Sequence, residues 1–220
     1  MPGPSMKNRP VLLLAAFVLA ACGRAPGQRT PEQVDHTMDT IDLKGLQVAH
    51  FAEGCFWCSE EIFEHVRGVH AVINGYSGGT EPNPTYEQVS SGTTGHAEAV
   101  EVYYDTNEVD FATLVKVFFA SQDPTTPSRQ GPDVGPQYRS IAFYDTPEQK
   151  AIIDGHIREL EASGQYDRPI VVEVEPFTKF WPAEEYHQDF AERNPGHSYI
   201  RMVSKPRFLR FRDKMPGVLK

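Results

Sequence analysis

The chain reads as an α+β domain on a ferredoxin-like βαββαβ plan. Two observations support this. Strand-like and helix-like apolar periods follow one another as strand-helix-strand, strand-helix-strand, the order of a split βαβ arrangement. The clearest strand-like stretch, Ala97 to Tyr104, alternates apolar and polar residues, as half-buried strands do. A mostly antiparallel sheet with helices on one or both faces is expected.

Leu46 to Ala52 is the first expected strand. Phe56 to Val66 has helical spacing, with Phe56, Trp57, Ile62, Phe63 and Val66 on one broad face. Val69 to Tyr76 reads as a second strand, ended by the turn Ser77-Gly78-Gly79. After the strand at Ala97 to Tyr104, Phe111 to Ala120 is helical. A long loop follows, rich in proline and glycine from Pro124 to Pro136, and loops of this length usually serve function. Tyr138 to Tyr144 reads as a strand. Pro147 to Ala162 reads as a helix with proline suited to its first turn, and Ile170 to Val174 as a last short strand. There is no internal repeat.

The first residues fall outside this pattern. Lys7 and Arg9 precede the apolar run Val11 to Ala21, which ends at Cys22. A basic start and a short apolar stretch with a small-residue end read as an export signal over residues 1–21. The run is shorter than the roughly 20 apolar residues a spanning helix needs. Leu19-Ala20-Ala21-Cys22-Gly23 resembles the lipobox of bacterial lipoproteins, which implies acylation at Cys22. The alternative is ordinary cleavage near Ala21. With glycine rather than aspartate at position 23, the resemblance to sorted lipoproteins implies an exported envelope lipoprotein, on the outer membrane and facing the periplasm where the organism has one. Residues 22–46 are polar, with Pro and Gly, and read as a flexible tether of about 25–30 Å. A single domain over 47–204 and a basic tail over 205–220, read as a solvated end, complete the chain.

The formal charge is −9, and losing Lys7 and Arg9 with the signal makes the remainder more acidic. That argues against nucleic-acid binding. The 220 residues hold 3 cysteines and 8 histidines without an HExxH pairing, so a zinc site is weakly supported.

Gly54-Cys55-Phe56-Trp57-Cys58 carries the chemistry. Cys55 falls at a strand-to-helix junction, where helix N-terminal N–H groups and partial positive charge favour thiolate. Cys58 is one helical turn later, so the pair can close a disulfide. A static disulfide is the second reading; its short loop would stabilise little. Redox catalysis ranks first.

Several segments resemble the A-type peptide methionine sulfoxide reductases. They are Gly54-Cys55-Phe56-Trp57, Gly75-Tyr76-Ser77-Gly78-Gly79, Pro84-Thr85-Tyr86-Glu87-Gln88-Val89 and Gly95-His96-Ala97-Glu98-Ala99-Val100. Ser128 to Gly135, Gln137-Tyr138-Arg139-Ser140 and Glu184-Glu185-Tyr186-His187-Gln188 continue the match. The resemblance spans residues 48 to about 200. It implies a two-layer α/β roll, a monomer, no metal or organic cofactor, and reduction of methionine-S-sulfoxide, free or in proteins, with a thioredoxin-like reductant.

A sulfoxide needs a thiolate to attack sulfur, an acid for its oxygen and a pocket for its methyl group. The resemblance implies Cys55 as nucleophile, Glu98 as general acid, Tyr86 and Tyr138 as hydroxyls on the oxygen, and Asp133 as a polar group of the site. Phe56 and Trp57 would hold the methyl group. Burial beside them would raise the Glu98 pKa and keep its proton. Attack leaves a sulfenic acid that a second thiol must condense with. The family usually has glycine after the tryptophan and a resolving cysteine near the C-terminus. Here residue 58 is Cys and no later residue is, so Cys58 is expected to resolve. Cys22 could do so only if unlipidated. Glu98 could otherwise be a solvated strand residue, and His187 and Gln188 are expected to pack structurally. A thiol–disulfide oxidoreductase and a non-catalytic lipoprotein with a structural disulfide are the competing functions.

Overall fold

The computed structural model describes residues 43–220, together with Met1 and Gly3. Apart from Met1 and Gly3, the expected signal lies outside the described residues, as do Cys22 and the tether up to residue 42.

In chain order the elements are β1 (Gln47–Glu53), α1 (Phe56–Glu64), β2 (Val69–Ser77), α2 (Tyr86–Ser90), β3 (Ala97–Tyr104) and α3 (Phe111–Ser121). A small hairpin, β4 (Arg129–Gln130) and β5 (Asp133–Val134), precedes β6 (Ser140–Tyr144) and α4 (Pro147–Ser163). Then come β7 (Glu173–Pro176), β8 (Trp181–Pro182), α5 (Phe190–Arg193) and α6 (Lys205–Lys214), the last entered through a π turn at Ile200–Ser204.

The main sheet has the order β7-β6-β1-β3-β2-β8. Its inner four strands, β6-β1-β3-β2, are antiparallel throughout and form the expected split βαβ plan. The edges extend it: β7 runs parallel to β6, and β8 pairs antiparallel with β2.

Strand parity divides the sheet into two faces. Phe51, Val100 and Val102 face the larger core with Phe63, Phe118 and Phe211 of α1, α3 and α6. Phe51 stacks on Phe63 and on Phe118, each at 5.2 Å between ring centres. Ala52, Ala97, Ala99, Ile141 and Phe143 face the other way and are covered by Phe180 and Phe177. Helices therefore pack on one face, and an extended segment covers the second.

The helix starts follow local chemistry. Thr85 and Gln88 form a reciprocal capping box on α2, and Asp110 Oδ1 accepts the Thr113 N–H at 2.8 Å on α3. Thr146 caps α4, Pro147 occupies its first turn, and Gly164 ends it at φ 68°.

Three expectations are corrected. The strand expected from Tyr138 starts at Ser140, because Pro136–Tyr138 form a 3₁₀ turn. The strand expected at Ile170 starts at Glu173, since the Val171 N–H is taken by Pro124 O at 2.9 Å. The expected solvated basic tail contains α6 instead. Its Phe208 and Phe211 enter the core, and Arg207 is buried against Glu53.

Candidate active site

β1 ends at Glu53, the chain turns at Gly54, and α1 begins at Phe56 with Cys55 as its N-cap residue. Gly54 sits at φ 90°, and a Cβ there would lie 2.6 Å from Gln130 Cβ, so only glycine fits this elbow. The Cys55 carbonyl accepts the Cys58 and Ser59 N–H groups at 3.1 and 3.3 Å. The Cys55 side chain makes no cap hydrogen bond, and its sulfur lies at the positive end of α1.

Glu98 lies on β3 with the parity of Val100 and Val102, facing α1. It is 2% exposed, which excludes the solvated strand residue. Its Oε2 accepts the Phe56 backbone N–H at 3.0 Å. Burial pushes its pKa up to about 8; the Phe56 hydrogen bond opposes the rise, and the Asp133 charge adds to it. At neutral pH this carboxyl holds a proton.

Both thiols are reduced and buried. They titrate as one pair. The first proton leaves at about 7, because the Cys55 thiol hydrogen-bonds the Cys58 sulfur and the Arg207 charge adds to this, against the effect of burial. The second leaves well above the usual thiol range, through burial, the Cys58 hydrogen bond and charge, and Glu98. Near neutral pH the pair is therefore partly ionised, with Cys58 the sulfur favoured as thiolate.

The remaining expected residues converge here. Burial raises the Tyr86 and Tyr138 pKa values, with the Glu98 and Cys55 charges adding to it, so both phenols stay protonated donors. Asp133, on β5, is pushed up by burial and accepts the Tyr199 O–H at 2.6 Å. Phe56 is fully buried, whereas Trp57 is half-buried and stacks on Phe190 at 3.8 Å.

Three further residues complete the site. The Tyr199 hydroxyl lies 3.8 Å from Cys58 Sγ and links the thiol pair to Asp133. Nothing in its local sequence marked it. His187 Nδ1 accepts the Trp57 indole N–H at 3.2 Å, and its ring packs on Tyr86 at 4.4 Å and Phe56 at 5.0 Å. It packs as expected, but against the site's own aromatic residues. Glu184 accepts the Tyr76 O–H at 2.8 Å and the Tyr86 N–H at 2.9 Å, fixing α2 to β2. Both His187 and Glu184 fall in the segment Glu184-Glu185-Tyr186-His187-Gln188, whose pattern marked the place but no role.

Beneath the thiols, Arg207 Nη2 meets Glu53 Oε1 at 2.9 Å, and Ser121 donates to Glu53 Oε2 at 2.6 Å. Burial works against the Arg207 charge, but Glu53 and then the two thiols outweigh it and raise its pKa. Among the described residues, the groups close enough to share a metal ion are His70, Asp105 and Glu108, and Glu60, Glu64 and Asp189. Neither includes a thiol.

A titrating thiol pair at a helix start, beside a buried protonated carboxyl, defines a thiol-dependent oxidoreductase site. Residues 47–217 match the model of the family described as peptide methionine sulfoxide reductase, and the chain belongs to that family. It is 48% identical over 188 residues to peptide methionine sulfoxide reductase MsrA 2 of Synechocystis, covering 85% of this chain and 88% of that one. It is 46% identical over 174 residues to MsrA of Thermus thermophilus, covering 79% and 98%. Among solved structures, methionine sulfoxide reductase A of Corynebacterium diphtheriae superposes with TM-score 0.63 at 34% identity, over 69% of this chain and 76% of that one. Reduced Mxr1 of Saccharomyces cerevisiae superposes with TM-score 0.63 at 29% identity, over 69% and 87%. The chain is a peptide methionine sulfoxide reductase of the A type.

Proposed function

We propose that this chain reduces the S epimer of methionine sulfoxide, free and in proteins, by thiolate attack from Cys55. The observation that carries this reading is the buried Glu98 carboxyl, protonated at neutral pH and set against the first turn of the helix that bears Cys55. Substrate binding displaces the shared proton toward Cys58 and leaves Cys55 as the nucleophile. Its sulfur attacks the sulfoxide sulfur, while Glu98 delivers its proton to the oxygen. Tyr86 and Tyr138 donate to that oxygen, Trp57 and Phe56 hold the methyl group, and methionine leaves with Cys55 as a sulfenic acid.

Cys58 then attacks the Cys55 sulfenic sulfur, forms the Cys55–Cys58 disulfide and releases water. Support for this comes from the Cys55–Cys58 hydrogen bond and from the Arg207 charge, both of which favour thiolate at Cys58. A thioredoxin-type dithiol protein would return the pair to the reduced state. Carried by an exported, Cys22-acylated chain, the activity would repair oxidised proteins at the envelope.

The test is incubation with separated R and S epimers of a methionine sulfoxide substrate and dithiothreitol. Loss of the S epimer alone, abolished by Cys55→Ser, is expected. Activity on protein disulfides with neither epimer consumed would favour a thiol–disulfide oxidoreductase.

A further inference from the structure

A groove-like cavity of about 600 Å³ reaches Cys58 from a side that none of Tyr86, Glu98 or Tyr138 lines. Its walls include Gln130 and Asp133 of the hairpin and Arg207, Arg210 and Lys214 of α6. Cys58 itself is only 1% exposed, so it sits at the bottom of this recess and not on a surface. The volume is that of a small-molecule site. A sulfur so recessed suits a small thiol better than the broad face of a folded protein.

The charge of the recess is specific. Its two wall carboxylates are engaged: Asp123 by Arg168 at 3.0 Å, and Asp133 by the Tyr199 hydroxyl at 2.6 Å. Arg207 is balanced by Glu53. Arg210 is exposed at the rim, and Lys214 holds its ammonium 3.0 Å from the Ala120 carbonyl. Burial and then the Arg210 charge lower the Lys214 pKa, against the Asp123 charge. An anionic thiol is drawn to the Cys58 side.

We propose that this recess is a second entrance, through which a low-molecular-weight anionic thiol reduces the oxidised enzyme by attacking Cys58. The proposal rests on the reading that Cys58 is the resolving thiol. The incoming thiolate forms a bond to Cys58 Sγ, the Cys55–Cys58 bond breaks, and Cys55 leaves as thiolate at the start of α1. A second thiolate attacks the small molecule's sulfur, releases its disulfide and frees Cys58. Two small thiols are oxidised, one protein disulfide is reduced, and the protons of the two thiols pass to the protein pair and solvent. With Cys58 in the mixed disulfide, its hydrogen bond and charge no longer raise the Cys55 pKa, which makes Cys55 a better leaving group.

The test uses the full chain, oxidised with one equivalent of methionine sulfoxide. Peptide mapping first establishes whether Cys55 and Cys58 are bonded; their absence from one disulfide would overturn the resolving role itself. The disulfide is then reduced with 3-mercaptopropionate, 2-mercaptoethanol and cysteamine, with rates normalised to thiolate concentration. The anionic thiol should be faster than the cationic one by about tenfold or more at low salt. Arg210→Glu should erase or invert that ratio. In Cys55→Ser protein, a dianionic aromatic disulfide should label Cys58 faster than a neutral one, with no such preference for Cys55 in Cys58→Ser protein. Equal normalised rates, or a ratio unmoved by Arg210→Glu, would overturn the second entrance while leaving the mapped disulfide in place.

Discussion

The Glu98 carboxyl accepts the backbone N–H of Phe56, so the proposed general acid sits on the first turn of the helix whose N-cap residue is the proposed nucleophile, Cys55. One contact therefore sets both reacting groups. The helix end favours a charged carboxylate, and burial opposes it. Burial is the larger effect, and Glu98 is held protonated up to about pH 8.

A bell-shaped profile follows for the sulfoxide step. The thiol pair must have lost one proton, with its pKa at about 7, and Glu98 must keep its own, with its pKa at about 8. Single-turnover methionine release should rise through the first value, fall through the second and peak between them. Glu98→Gln should remove the alkaline limb and slow the step by about 10²–10⁴-fold. An alkaline limb that survives in Glu98→Gln would assign it to another group.

Cys58→Ser should separate the two halves of the cycle. One methionine per enzyme should still form in a single turnover, and turnover with a thioredoxin-type donor should fall by at least about tenfold, because the sulfenic acid must wait for an external thiol. Quantifying methionine and sulfenic acid per mole of enzyme checks this. Full turnover in this variant would remove Cys58 from the mechanism.

The Arg207–Glu53 pair lies in the core beneath the thiols, with Glu53 fully buried. Arg207→Met should cost about 3–5 kcal/mol, since it strands a buried carboxylate. The penalty should shrink in Arg207→Met with Glu53→Gln. Arg207→Met should also move the first thiol titration upward, as the cation that favours thiolate is gone. Denaturant melts and thiol absorbance against pH would read both effects.

Gly54→Ala should be damaging for two separate reasons, the positive φ and the 2.6 Å approach to Gln130 Cβ. A loss of about 1–3 kcal/mol is expected from the strained backbone. Gln130→Ala in the same chain should relieve only the contact, and comparing melting temperatures of the single and double variants separates the two costs.

His187 should act through Trp57. Its Nδ1 accepts the indole N–H, which places its own proton on Nε2, and burial lowers its pKa and keeps it neutral. His187→Ala should raise KM several-fold with a smaller effect on kcat, because the loosened part is the pocket proposed for the methyl group and not the reacting atoms. A kcat loss larger than the KM change would contradict this.

Periodicity placed the inner sheet and its helices because burial follows strand and helix repeats directly. Ala97–Tyr104 forms β3 as read, and its alternation set Glu98 on the same face as Val100. The motif around Cys55 marked the helix start, since an elbow glycine and a helix end are local features. The grouping of Tyr86, Asp133 and Tyr138 with Cys55 came from resemblance, not from any local pattern. Tertiary structure alone decided the rest. Tyr199 and Arg207 reach the thiols from more than 140 residues away in sequence, Arg207 from an end segment whose charges suggested solvent. Its buried half is Phe208 and Phe211, and Arg207 is held inside only because Glu53 faces it. The proton on Glu98 likewise exists only once the chain has removed the carboxyl from water, and the readiness of Cys58 to ionise exists only because the Cys55 thiol and Arg207 lie beside it in the fold.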